Sequence, residues 1–149
     1  MATVLDVASY ILEQVGSCTA MKLQKLVYYA QAWSLVWDER PLFQERIEAW
    51  INGPVVPDLF RLHQGQFMLS SIPGGNSTVL TRTERETVDA VVRDYGKKSS
   101  QYLSDLTHME APWRETRQGM EENERGNREI THAALAEYYG SLPPGTEIV

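Results

Sequence analysis

The stretch 19-TAMKLQKLVYYAQAWSLVWDERPLF-43 decides the architecture. Leu23, Leu26, Val27, Ala30, Trp33, Ser34 and Trp37 recur at i, i+3, i+4 and i+7, the repeat of one buried helix face. Thr19 stands where an N-cap accepts from the free amides of the first turn. The opposite side carries Met21, Tyr28, Tyr29, Ala32, Leu35 and Val36, diluted only by Lys22, Gln24, Lys25 and Gln31. A helix apolar nearly all round is a central one, packed on more than one side. The pattern therefore predicts a central helix over about 20–38, ended by Asp38-Glu39-Arg40-Pro41, with Trp33 and Trp37 expected in the core.

Working outward, Val4, Leu5, Ala8, Ile11, Leu12 and Val15 predict an amphipathic helix over 4–15, stopped at Gly16. After the central helix, Ile47, Ala49 and Ile51 alternate with Arg46, Glu48 and Trp50, a period-two pattern for a short strand near 46–51, closed at the Asn52-Gly53 turn signal. Pro54 and Pro57 are excluded from a central strand, and Pro57 suits the first turn of a short helix, PDLFRLHQ. Residues 70–79, SSIPGGNSTV, read as a loop. Thr81 with Glu84 has capping-box spacing ahead of Val88, Val91, Val92 and Tyr95, with Gly96 as the stop. Ser99 or Ser100 caps a further helix that is expected to run on into 103-LSDLTHMEAPWRETRQG-119. The polar stretch 118–129 reads as an exposed loop, and Thr131 precedes a last helix, HAALAEYY, before a frayed tail over 141–149. The expected fold is mainly α: one compact domain, 1–149 with its core over about 4–140, around the central helix, with a minor β element near 46–51.

Composition narrows the function classes. A chain of 149 residues can bury about 68–70% of its unfolded surface, so no metal or disulfide is needed to fold it. Twenty acidic against fourteen basic side chains leave a net charge of −6, a poor match for nucleic acid. The single cysteine, Cys18, fits a reducing compartment. The N-terminus lacks a basic signal region and no window has the length of a membrane span, so a cytoplasmic, soluble protein is expected. No phosphate-binding glycine motif is present, and His63, His108 and His132 are not spaced as metal ligands. No cofactor is expected. Lys22 and Lys25 lie one turn apart and suit an acidic partner, or simply form a solvated edge. Asp105, Thr107 and His108 cluster near Pro112 and Trp113, an arrangement with the residue types of a small hydrolytic site, although a structural histidine near a helix end is the more ordinary account.

Two fragments combine an aromatic residue, a proline-constrained backbone and a polar turn: 48-EAWINGPVVPDLF-60 and 106-LTHMEAPW-113. The longer stretches that hold them, PLFQERIEAWINGPVVPDLF and LSDLTHMEAPW, taken in order with MKLQKLVYYAQAW, resemble the Panacea family, the SocA-like antitoxin domain of bacteria and their prophages. The resemblance covers about residues 5–140. It implies a largely helical fold with a minor β element and a protein that is not an enzyme, binding and neutralising a toxin encoded beside it. The family's toxins are chemically diverse, and one relative delivers its toxin to an ATP-dependent Clp protease, so a proteolytic adaptor is the alternative role. Some relatives carry an added DNA-binding domain, for which this chain is expected to have no room. Candidate motif or partner-binding residues are Lys22, Lys25, Tyr29, Trp50, Gly53, Pro54, Thr107, His108 and Trp113. Diversity of toxins places specific contacts in variable surface, for which the Gly74 loop and the loop from Glu121 to Arg128 are the candidates, and the acidic charge suits a basic toxin.

Overall fold

The computed structural model describes residues 1–143; the frayed tail expected over 141–149 lies largely outside the described residues. In chain order the elements are α1 (Val4–Val15), β1 (Cys18–Thr19), α2 (Ala20–Trp37), β2 (Ile47–Trp50), β3 (Gly53–Val55), α3 (Pro57–His63), β4 (Met68–Leu69), α4 (Arg82–Tyr95), α5 (Ser100–Met109), α6 (Ala111–Thr116), β5 (Glu129–Ile130) and α7 (His132–Gly140). Hydroxyl side chains of Thr3, Thr19, Thr81, Ser99 and Thr131 cap α1, α2, α4, α5 and α7, while α3 and α6 begin instead on a proline whose missing N–H is no loss. The fold is mainly helical with two small antiparallel sheets, β1–β4 and β3–β2–β5.

Helix α2 is the centre, touching α1, α4, α5, α7 and β3. Twelve of its eighteen residues are buried, among them the polar Gln24, Lys25, Gln31 and Ser34. Each of these four closes hydrogen bonds to main chain that would otherwise be left unpaired inside. Gln31 Oε1 accepts from Leu42 N at 2.7 Å and Phe43 N at 3.4 Å, and its Nε2 donates to Phe43 O at 2.8 Å. Ser34 Oγ donates to Arg40 O at 2.7 Å. Gln24 Oε1 accepts from Val56 N at 2.9 Å while its Nε2 donates to His63 Nε2 at 2.9 Å. Gln24, Lys25 and Gln31, which dilute the second face, are thus pegs for the loop and hairpin that cover it.

Several expectations are corrected. Trp37 is 47% exposed, because the last turn of α2 projects past its neighbours; its ring stacks on half-buried Trp33 at 5.0 Å, and Trp33 Nε1 donates to Tyr95 OH. The helix expected to run on into 103–119 breaks at Glu110, whose extended backbone (φ −95°, ψ 146°) precedes Pro112 and a separate α6. Ile51 lies not in the strand but in a two-residue turn with Asn52, since Trp50 pairs with Gly53. Pro54 does lie in a strand, but on the sheet edge, where its missing donor leaves no ladder bond unmade. The end of the polar stretch contributes β5, paired to β2 at Ile47–Ile130.

Replacing Gln31 by Leu should lower stability by about 2–4 kcal/mol, since it leaves two amides and a carbonyl of the 42–43 loop buried without partners. Urea unfolding beside a Gln101→Ala control, on an exposed position, checks it; an equal small effect of both would refute the peg role.

Candidate functional site

The hairpin formed by β2 and β3 is clasped from beneath by side chains of α2, α5 and α6. Gly53 adopts φ +124°, and a Cβ there would stand 2.6 Å from Lys25 Cε and 3.2 Å from Thr107 Oγ1, so only glycine lets the hairpin approach α2 and α5 this closely. Lys25, fully buried, donates from Nζ to Pro54 O at 3.3 Å. Ser104 Oγ donates to Asn52 O at 2.7 Å, and Thr107 Oγ1 donates to Ser104 O at 2.7 Å. Trp113 Nε1 donates to Trp50 O at 2.8 Å, and the Trp113 ring stacks on His108 with centroids 3.9 Å apart and planes 9° from parallel. Arg117, buried beside Trp113, donates from Nη1 to Ala49 O at 3.0 Å and from Nη2 to Glu124 O at 2.5 Å, which also ties down the middle of the 121–128 loop.

Burial dominates the electrostatics of this clasp. Desolvation brings the Lys25 ammonium down from 10.5 to about 7. His108 is pushed down first by burial and then by the nearby Lys25, against an opposing hydrogen bond to the Asn52 backbone, and its Nε2 is buried with no hydrogen-bond partner among the described residues. Six of the expected residues, Lys25, Gly53, Pro54, Thr107, His108 and Trp113, are brought together here, with Trp50 contributing its carbonyl. Lys22 sits apart, half-exposed near the start of α2. Tyr29 belongs to a different buried network: its hydroxyl and that of Tyr139 both donate to Glu110 Oε1, at 2.6 and 2.8 Å, and its ring stacks on Tyr95. The hydrolytic pairing is not assembled. Asp105 is exposed and accepts from Gln101 Nε2 at 2.8 Å, while Thr107 is turned to Ser104 O and His108 to Trp113. Among the described residues no group of three His, Cys, Asp or Glu is placed to hold a metal, and no helix is long and apolar enough to cross a membrane.

Above the clasp the hairpin faces a cleft of about 500 Å³. Trp50 packs edge-on against Phe60 at 4.9 Å, anchored by Nε1 donating to Glu48 Oε1, and the walls are completed by Met21, Ile51 and Val55 with Arg125, Gly126 and Asn127 from the polar loop. Of the two loops expected to carry specific contacts, the one from Glu121 to Arg128 therefore reaches the cleft. The Gly74 loop is instead pinned on α1, where Asn76 N donates to Asp6 Oδ1 at 2.8 Å and a side chain at Gly75 would collide with Ser9.

A family model described as "Antitoxin SocA-like, Panacea domain" matches residues 23–114, more than half of the chain. The chain belongs to this SocA-like antitoxin family. No curated protein and no solved structure matches it. The Panacea match runs from early α2 into α6, so it contains every clasp residue from Lys25 to Trp113 but neither Arg117 nor α7. Arg117, Ser104 and Glu110 were not singled out from the sequence, since nothing in their spacing marks them; Gln24 and Gln31, lone amides in an apolar helix, did carry a signal.

Two outcomes follow from this geometry. Gly53→Ala combines a left-handed backbone with a collision against Lys25 and should cost about 2–4 kcal/mol in urea unfolding; a loss below about 0.5 would show that the hairpin can lift freely. The low Lys25 value also has a signed consequence. Between about pH 7 and 10.5 the unfolded chain holds a proton on Lys25 that the folded chain does not, so its contribution makes stability rise with pH across that window and level off below it. Lys25→Met should flatten that rise between pH 7 and 9.5; at lower pH His63, pushed down by its own burial, acts as before, while part of the depression of His108 is relieved with the lysine gone. An unchanged slope would mean that Lys25 is protonated in the fold.

Proposed function

We propose that this chain is an antitoxin that neutralises a cognate protein toxin, encoded beside it, by binding it directly as a single domain. The observation that carries the reading is how the residues around the hairpin are used. Lys25, Ser104, Trp113 and Arg117 all donate to carbonyls of one hairpin, while Trp50 turns its ring into the cleft above. The chemistry of such a clasp is shape: it fixes a surface and leaves the polar groups spent on backbone. The surface it fixes is of the kind that binds protein, an aromatic residue set among Phe60 and Met21 with a polar loop at the rim, since tryptophan is over-represented among residues that dominate binding energy. Asp105 and His108 stand apart in their hydrogen bonding, which supports binding over hydrolysis.

Co-expression with the product of each adjacent reading frame, scored for growth and for co-purification, tests the reading. One neighbour should arrest growth alone and be silenced in a stable complex. Trp50→Ala should weaken that complex by about 10- to 100-fold, and Asp105→Ala should leave silencing intact. No toxic or bound neighbour would refute the antitoxin reading, and loss of silencing in Asp105→Ala would return the hydrolytic one.

A further inference from the structure

The polar stretch 121-EENERGNRE-129 sets Arg125 among four glutamates, and none of them pairs with it. Glu129 lies with Arg46 at 3.8 Å, and Glu124 Oε1 accepts from Glu121 N at 3.2 Å. Arg125 itself has no ion pair, hydrogen bond or ring contact among the described residues, and it forms part of the wall of the Trp50 cleft.

The loop that presents this arginine is anchored on both sides of it. Before it, Arg117 Nη2 donates to Glu121 O at 3.4 Å and to Glu124 O at 2.5 Å. After it, Arg46 Nη2 donates to Asn127 O at 3.0 Å, and Ala49 N donates to Arg128 O at 2.9 Å. Between these anchors, a Cβ on Gly126 would stand 2.9 Å from Arg117 Nη1 and 3.2 Å from Ala49 O, so the backbone next to Arg125 is seated on β2. The strand that carries Trp50 therefore also sets the root of Arg125. A side chain on a fixed root has less to order when it makes a contact.

Charge selects what that contact is. The wall of the cleft holds one carboxylate, Glu48, and one guanidinium, Arg125. Both oxygens of Glu48 are engaged, Oε1 by Trp50 Nε1 at 2.9 Å and Oε2 by Arg46 Nε at 3.0 Å. Glu121, Glu122 and Glu124 do not line the cleft. The charge left over is thus positive, beside an apolar surface of Trp50, Phe60 and Met21. The planar fork of a guanidinium matches a carboxylate, and their attraction grows where apolar neighbours exclude water.

We propose that Arg125 is the residue by which the cleft selects its partner. It receives an aspartate or glutamate side chain of the toxin, while an apolar side chain of the same toxin segment packs on Trp50 and Phe60. The inference rests on the toxin-binding reading and names the chemistry of its contact. The net charge of −6 acts at long range on the toxin as a whole, whereas Arg125 acts on one side chain at contact, so a basic toxin with an acidic contact point satisfies both.

The experiment uses the full chain and the neighbouring gene product that it silences. Arg125→Glu is compared with Lys97→Glu, which makes the same change in net charge at an exposed position outside the cleft, and circular dichroism melting checks that each is folded. Arg125→Glu should weaken the complex at least about tenfold and Lys97→Glu less than about twofold. In a second arm, each aspartate and glutamate of the toxin is changed singly to lysine. One such change should restore binding to Arg125→Glu while weakening binding to the wild-type chain, the reciprocal coupling of a direct pair. Wild-type affinity in Arg125→Glu, equal losses in the two charge reversals, or no toxin change that restores binding would each overturn the proposal; a complex still weakened by Trp50→Ala would leave the antitoxin reading standing. If Arg125→Glu instead shifts the oligomeric state of the free protein, the cleft belongs to a second copy and the proposal is likewise overturned. A wild-type chain that silences no neighbour would remove both.

Discussion

Burying a helix on every side obliges its polar residues to find partners inside, and that obligation organises this protein. For four of them in α2, main-chain partners are supplied by the segment that follows it. Ser34, Gln31, Lys25 and Gln24 meet main chain at residues 40, 42–43, 54 and 56, in reverse order along the helix. The chain leaves the C-terminal end of α2 and is fastened back along it toward the N-terminal end. This placement sets the hairpin over the first turns of the helix, and hence the position of Trp50 and the cleft it walls. A satisfied buried hydrogen bond adds about 1 kcal/mol, but leaving one of its groups alone costs more, so the pegs select one path for the chain more than they strengthen it.

Lys25 is the extreme member of the set. Its amine has one hydrogen bond to offer a home to, at Pro54 O, and the hairpin closes over it because Gly53 has no side chain. A full charge there would be costly, and the molecule avoids it by letting the amine approach neutrality near pH 7. The neighbouring His108 is pushed down first by its own burial and then by the same lysine, so charge beneath the hairpin is disfavoured at both positions.

The sequence made the helices legible because their signals are local. Hydroxyl caps at Thr19, Thr81, Ser99 and Thr131, the proline opening α3 and the apolar periodicity of α1 and α2 all act within one or two turns, and each helix start follows them. The alternation of Ile47 and Ala49 likewise marked the buried face of β2. What escaped was decided at long range. Strands of two residues, such as β4 and β5, have no periodicity to read, and their pairing is imposed by partners far along the chain. Trp37 follows the apolar stripe perfectly and is nonetheless half in solvent, since a stripe says which face is apolar and not how far the neighbouring helices extend. For the site, the motifs indicated where unusual backbone lay, and the structure showed that they meet; that Lys25 serves Pro54, while Tyr29 serves Glu110, could not be read from residues four apart on one helix.

The pairing of β1 with β4 places the chain's single cysteine in an informative position. Cys18 is buried opposite Leu69, and burial raises its thiol against the opposing influence of Lys22, so little thiolate forms at neutral pH. A thiol both covered and protonated is slow to alkylate. Its rate of alkylation then reports how often this two-stranded pair separates, which makes Cys18 a built-in kinetic probe of the less extensively paired of the two sheets among the described residues, without any introduced label.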